Sequence, residues 1–272
     1  MNKKQIFGVS SVVVAVALFS SLFVVSALAN HSWGLYHWGR IANPFTLKLG
    51  DNVSSAWDSY LATSSSDWSQ SSVLDTTVVS GLTSPKNCKP VVGRAEICNS
   101  KYGRNGWLGI ASIWINSSGH ITQGTVKMND SYFNSSPYNT SVWKNSVMCQ
   151  EVGHIFGLNH QDENFSNLPL GSCMDYSSDP TLNQHPNQHD YDQLEAIYNS
   201  HLDPSNTVSL ASFSRLGQLI SANVNEANAE ENEEWGKAVR QSHDKRNSLY
   251  EKELDKGEKV YTFVIWADSD HK

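Results

Sequence analysis

The sequence predicts an α/β layered fold. Three observations predict it. Strand-like and helix-like patterns follow one another through residues 43–202 in the order strand, helix, strand, strand, strand, helix. The segment Trp107 to Ile115 is almost continuously apolar, as a strand covered on both faces is. Of the 272 residues 39% are hydrophobic and only 17% charged, with nine Trp, ten Tyr and nine Phe to fill a sizeable core. The same composition, with a net charge of −7, excludes a disordered chain and gives no footprint for nucleic acid.

The elements can be justified in order. Asn43-Pro44-Phe45-Thr46-Leu47-Lys48-Leu49 alternates as a strand does, and Asp51-Asn52 offers an N-cap for a helix on which Val53, Trp57, Tyr60 and Leu61 recur at helical spacing. Val73 to Val79 reads as a strand, and Cys88 to Cys98, with Pro90 and Gly93, as a loop. After the buried strand at Trp107, Ser117-Ser118-Gly119 turns the chain into a further strand, Ile121 to Met128. Tyr191, Leu194, Ile197 and Tyr198 make an apolar stripe on a helix that stops before Pro204.

The two ends differ from the middle. Lys3 and Lys4 precede an apolar run from Ile6 to Val25, and Ala27-Leu28-Ala29 has the small-x-small pattern of a cleavage site. Residues 1–29 are therefore expected to be a signal peptide and the product to be secreted. Uncleaved, the run is long enough to anchor the chain in a membrane, and this segment is the sole expected membrane contact. From Pro204 onward 21 of 69 residues are charged, against 26 of the 203 before it. This divides the chain into a unit at 30–203 and a charge-rich extension at 204–272 without an assigned role. Within the extension, Asn225 to Leu254 reads as a solvated helix or coil and Lys259 to Trp266 as a strand. The dozen or so residues between Asn30 and the first strand are too few for a folded inhibitory prosegment.

Four cysteines are few for a disulfide scaffold, but an even number suits an exported chain. Cys88 and Cys98 would close a short loop and restrict the unfolded chain by roughly 2–4 kcal/mol. Cys149 and Cys173 are the remaining pair. Spacing admits three connectivities, of which Cys88–Cys98 with Cys149–Cys173 is favoured.

The chemistry concentrates in Cys149-Gln150-Glu151-Val152-Gly153-His154-Ile155-Phe156-Gly157-Leu158-Asn159-His160. On a helix, positions 150 and 154 lie one turn apart on one face and can reach the same metal ion. Glu151 beside them can take a proton from the water such an ion activates. Gly157 permits the positive φ that ends the helix in a tight turn, and the returning chain can bring His160 to the same ion.

This stretch resembles the signature of the metzincin zinc peptidases, H-E-x-x-H-x-x-G-x-x-H, matched here as Q-E-V-G-H-I-F-G-L-N-H. Gly171-Ser172-Cys173-Met174-Asp175-Tyr176 resembles their Met-turn, with a Tyr two residues after the Met as in the astacin and serralysin groups. The resemblance implies a zincin-like α/β (α+β) fold with a twisted mixed sheet, an active-site helix, and an irregular lower subdomain that carries the Met-turn and ends in a helix. It implies Zn2+ held by His154, His160 and Gln150, Glu151 as general base, Tyr176 near the metal or the oxyanion, and Met174 as a hydrophobic floor. It also implies a protein or peptide substrate, laid as an added strand along an antiparallel edge at or beside Gly119 to Gly124. The favoured Cys149–Cys173 bond would tie the start of the helix to this turn.

One ligand departs from the pattern. Gln150 stands where the signature has its first His, and an amide oxygen is a poorer zinc donor than imidazole. Three accounts stand open: Gln150 ligates through Oε1; or His31, His37, His120, Asp162, His185 or His189 supplies the donor; or the domain binds peptides without turnover. Asp162 is a candidate to orient His160, with Glu163 read as solvated loop. The other histidines, His201, His243 and His271, are read as ordinary core or surface residues. An esterase or glycosidase finds no support, since there is no G-x-S-x-G elbow and no convincing carboxylate pair.

Overall fold

The computed structural model describes residues 31–199, 202–203, 231–232 and 234–268. The expected signal segment, the stretch 204–230 of the extension, and His201 and His271 lie outside the described residues. The described chain runs β1 (His37–Trp38), β2 (Phe45–Asn52), α1 (Asp58–Trp68), β3 (Leu74–Ser80), β4 (Ala95–Ser100), β5 (Trp107–Ile115), β6 (His120–Asn129), α2 (Asp130–Phe133), α3 (Ser141–His154) and α4 (Gln188–Tyr198). It then continues through β7 (Glu231–Asn232), β8 (Gly236–Gln241), β9 (Asn247–Glu253) and β10 (Lys259–Trp266).

These strands form one mixed sheet in the order β3-β2-β4-β6-β5-β10-β9-β8-β7, with β1 alongside the start of β6. The class is the expected one, mixed α/β. From β3 to β6 the neighbours are parallel, which requires crossovers such as α1 between β2 and β3. From β6 through β5 to β7 every pairing is antiparallel. The main core lies between the sheet and α1 and α3, where Trp57, Leu61, Trp68, Val147 and Val152 pack with Leu49, Ile97, Ala111, Ile113 and Val126. A smaller cluster of Trp107, Ile110, Tyr250 and Val264 forms a second buried group, against which Trp235 and Trp266 pack. The unbroken apolar run of β5 is thus explained, because it contributes to both clusters.

Several local readings are corrected. Asp51 and Asn52 finish β2 and cap nothing: Asn52 is spent on the buried Glu96 carboxylate at 2.5 Å, and α1 begins behind Trp57 without a side-chain cap. Part of the stretch read as a loop is β4, whose buried Glu96 is neutralised by Arg94 at 2.7 Å. The stretch Gly119 to Gly124 is no edge: β5 pairs one side of β6, and on the other side β1 pairs His120 and Ile121 and β4 takes over from Gly124. Asn225 to Leu254 was expected as helix or coil, yet 236–241 and 247–253 are strands. Leu249 and Tyr250, adjacent and so on opposite faces, bury against the main core and the smaller cluster respectively, while charges pair across strands, as Lys259 does with Glu251 at 2.7 Å. The expected strand at Lys259 to Trp266 is present and lies against β5, so the charge-rich extension reaches the middle of the sheet.

Candidate active site

α3 starts at Thr140, whose hydroxyl accepts the Trp143 N–H, and its last turn carries Gln150, Glu151 and His154 into the core. Three hydrogen bonds hold this end of the helix. Trp68 Nε1 donates to the Cys149 carbonyl at 3.1 Å, Trp38 Nε1 to Ile155 at 2.8 Å, and the Tyr198 hydroxyl to Phe156 at 2.7 Å. Gly157 then adopts φ +97°, and the chain reverses. The segment after the turn is fastened to the N-terminal residues: Trp33 N–H donates to Gly157 O at 3.0 Å, Trp33 Nε1 to Leu158 O at 2.7 Å, and Asn159 N–H to His31 O at 2.5 Å. Gln161 N–H donates to Met174 O at 2.6 Å, which joins the returning chain to the turn at Met174.

This path brings His160 back to His154. Their ring centroids are 4.6 Å apart and the rings are perpendicular. His154 Nδ1 faces the Leu158 carbonyl at 2.9 Å, so Nε2 is the nitrogen left for a metal. His160 Nδ1 faces Glu163 Oε1 at 3.3 Å, while its Nε2 lies 2.5 Å from the Tyr176 hydroxyl. Met174 lies under α3 where Gly153 leaves room; a Cβ there would fall 2.5 Å from the Met174 sulfur. On the other side of the helix, Gly109 of β5 leaves room for Glu151 Oε1, which would lie 2.7 Å from a Cβ at that position.

The electrostatics suit metal binding. Burial, with help from His160, holds the His154 imidazole well below its usual range. Burial also lowers His160 against the pull of Glu163, so both rings are neutral donors. Burial alone raises Glu151 well above the carboxylate range, and burial raises Tyr176 likewise. At Glu163 burial pushes upward, but His160 and Arg240 outweigh it and keep the group below its ordinary value.

The residues present fit a divalent cation. Two atoms on the helix turn that carries His154, Gln150 Nε2 and Glu151 Oε2, are buried without a hydrogen-bond partner, and such orphans are costly unless something outside the protein satisfies them. An amide presents oxygen in place of nitrogen by a half-turn, so Gln150 can offer Oε1 from the same place.

The other candidates lie elsewhere. His37 and His120 both face Asp203, at 3.0 and 3.1 Å. His185 pairs with Asp67 at 2.6 Å, and His31 stacks on His189 beside Asp190. Asp162 serves its own loop, accepting from Asn164 N–H and Asn167 Nδ2. The partner of His160 is Glu163, three residues on, and that spacing was the available signal. Two further contacts had no signal in the sequence. Phe263 of β10 stacks on His154 with centroids 4.2 Å apart and planes 12° apart, and Arg240 of β8 pairs with Glu163 at 3.1 Å.

No known protein-family profile matches the chain, and no curated protein matches its sequence. Among solved structures it is similar to high choriolytic enzyme 1, a hatching enzyme zinc-protease from Oryzias latipes (medaka fish), at 12% identity and a TM-score of 0.32. That similarity covers 61% of this chain and 95% of the other.

Both disulfides have the favoured pairing, Cys88–Cys98 and Cys149–Cys173. The second joins α3 to the turn at Met174, which is held in turn by α4: Ser172 Oγ donates to Asp190 Oδ2 at 2.6 Å, and Asp190 closes the capping box with Asn187. Replacing Cys149 and Cys173 together by Ser releases a cross-link between residues 24 apart. The expected loss is about 3 kcal/mol, read as a lower urea midpoint.

Proposed function

We propose that this chain is a secreted zinc-dependent endopeptidase of metzincin type. The observation that carries the reading is the meeting of two imidazoles, His154 and His160, at the end of a helix whose preceding turn holds a partnerless Glu151 carboxylate oxygen and a partnerless Gln150 amide nitrogen, with Met174 packed against Gly153 of the same turn. His154, His160 and Gln150 would hold the ion, and Gln150 is a neutral donor like the His it replaces. When bound, zinc supplies Lewis-acid polarisation of a water and of the scissile carbonyl. Glu151, made more basic by burial, takes the proton of the attacking water and passes it to the leaving amine. The Tyr176 hydroxyl, kept protonated by burial, donates to the developing oxyanion. Glu163 fixes the ring orientation of His160 through Nδ1. Export is supported by the Lys3-Lys4 and Ala27-Leu28-Ala29 pattern and by the two disulfides.

Metal content tests the site directly. The purified chain is expected to carry zinc, and replacing His154 and His160 together by Ala removes about one equivalent. Gln150→His, which restores an imidazole, raises the affinity. Less than about a tenth of an equivalent in both the wild type and Gln150→His would overturn the reading.

A further inference from the structure

The site is sealed by the chain itself. Glu151 and His154 are each 1% exposed and Tyr176 3%, and the C-terminal segment supplies the ring that covers His154. β5 would otherwise be the last strand of the sheet on this side, with its antiparallel edge running past Gly109 and Glu151. That edge is taken by β10, in continuous antiparallel register from Lys259 opposite Ile115 to Ile265 opposite Gly109. Alternate residues Tyr261, Phe263 and Ile265 belong to the main core on the side of α3. Phe263 lies flat on His154 and meets the edge of Trp33 at 4.4 Å, while Ile265 stands across from the glycine that makes room for the general base.

Two more contacts close the loop that follows the third motif position. Arg240 holds Glu163, the carboxylate that orients His160. Arg246 lies over the ring of Phe165 at 4.0 Å, and Phe165 stacks on Tyr176. One C-terminal unit thus touches His154 and the immediate partners of both His160 and Tyr176.

We propose that β10 is an intramolecular occupant of the substrate groove, so that the full chain is latent, and that the groove takes an extended peptide strand with an aromatic side chain against His154. The inference rests on the peptidase reading of the site. Strand addition supplies affinity through main-chain hydrogen bonds and specificity through alternate side chains, and β10 uses both. Because the occupant is tethered, its effective concentration is on the order of millimolar, so a peptide of equal intrinsic affinity at micromolar concentration competes poorly. The extension at 204–272 then has a role: the inhibitor lies after the catalytic residues instead of before them.

The experiment uses the full chain loaded with zinc. Phe263→Asp places a carboxylate against His154 and Trp33, and Arg240→Glu breaks the clamp on Glu163 from an exposed position without entering the core. Cleavage of unfolded casein is expected to rise about 30-fold or more in Phe263→Asp and less in Arg240→Glu, with faster amide exchange in 259–266 than in β2 and β4. A labelled synthetic peptide of residues 259–266 should then bind Phe263→Asp, suppress its cleavage, and fail to bind the wild type. A wild type as active as both variants overturns latency and leaves the peptidase reading standing. Peptide binding to the opened variant without cleavage by any form sustains the occupant and overturns the peptidase. An opened variant that does not bind the peptide overturns the proposal, as does a pair of variants with unchanged exchange and unchanged cleavage.

Discussion

In a chain whose groove has been opened by Phe263→Asp, Glu151→Gln is expected to lower kcat/KM by about 10³-fold while leaving the zinc content unchanged. Gln has nearly the volume of Glu, so the space that Gly109 leaves beside the side chain stays filled. What disappears is the capacity to accept a proton from water. Nothing else described at the site replaces it: His154 Nδ1 is held by the Leu158 carbonyl, both nitrogens of His160 are engaged by Glu163 and Tyr176, and Tyr176 is held protonated. Glu163 is engaged by His160 and Arg240. The fold should not suffer, because burial penalises the charged carboxylate and a neutral amide avoids that penalty. Activity within tenfold of the parent would remove Glu151 from the mechanism, and loss of zinc would make it a ligand instead of a base.

Gly157→Ala is expected to cost more stability than any other single methyl group in this site. The position has φ +97°, where an L side chain is strained, and the added Cβ would fall 2.3 Å from the carbonyl oxygen of Tyr36, which belongs to backbone and cannot swing away. Relief requires the turn to move, and the turn is what returns His160 to His154 and seats Trp33 on Gly157 and Leu158. A loss of about 3 kcal/mol or more is expected, read as a fall in Tm of roughly 6–12 °C, together with reduced zinc content. A variant with wild-type Tm and full zinc would show that the turn tolerates another conformation and that Gly157 is not what positions His160.

Legibility followed the range of the interactions. The strand at Trp107, the strand after Ser117-Ser118-Gly119 and the helix with Tyr191, Leu194, Ile197 and Tyr198 were readable because each is decided by a local apolar pattern. β4 was not, because Glu96 in its middle looks like a surface residue until Arg94 and Asn52 arrive to satisfy it. β8 and β9 were not, because their charged residues hide the alternation, and the partners that make them strands are other strands. The same division runs through the site. Gln150, Glu151, His154 and His160 were singled out by spacing on a helix and a glycine turn, and Met174 and Tyr176 by the resemblance of a short motif. Glu163 was passed over for its neighbour Asp162, since both are acidic and only the turn of the loop decides which one meets Nδ1 of His160.

By itself the sequence determined the α/β class and marked the segment proposed to carry the chemistry, with the order of its groups, because helical periodicity and the conformational freedom of Gly157 act over a few residues. The tertiary structure alone decided who surrounds those groups. Phe263 lies more than a hundred residues from His154, and Arg240 more than seventy from Glu163. No local pattern encodes such meetings; they follow from β10 pairing with β5. A tail that composition marks only as charged becomes the strand that covers the site, because the main-chain hydrogen bonds that place it are the same for every residue type.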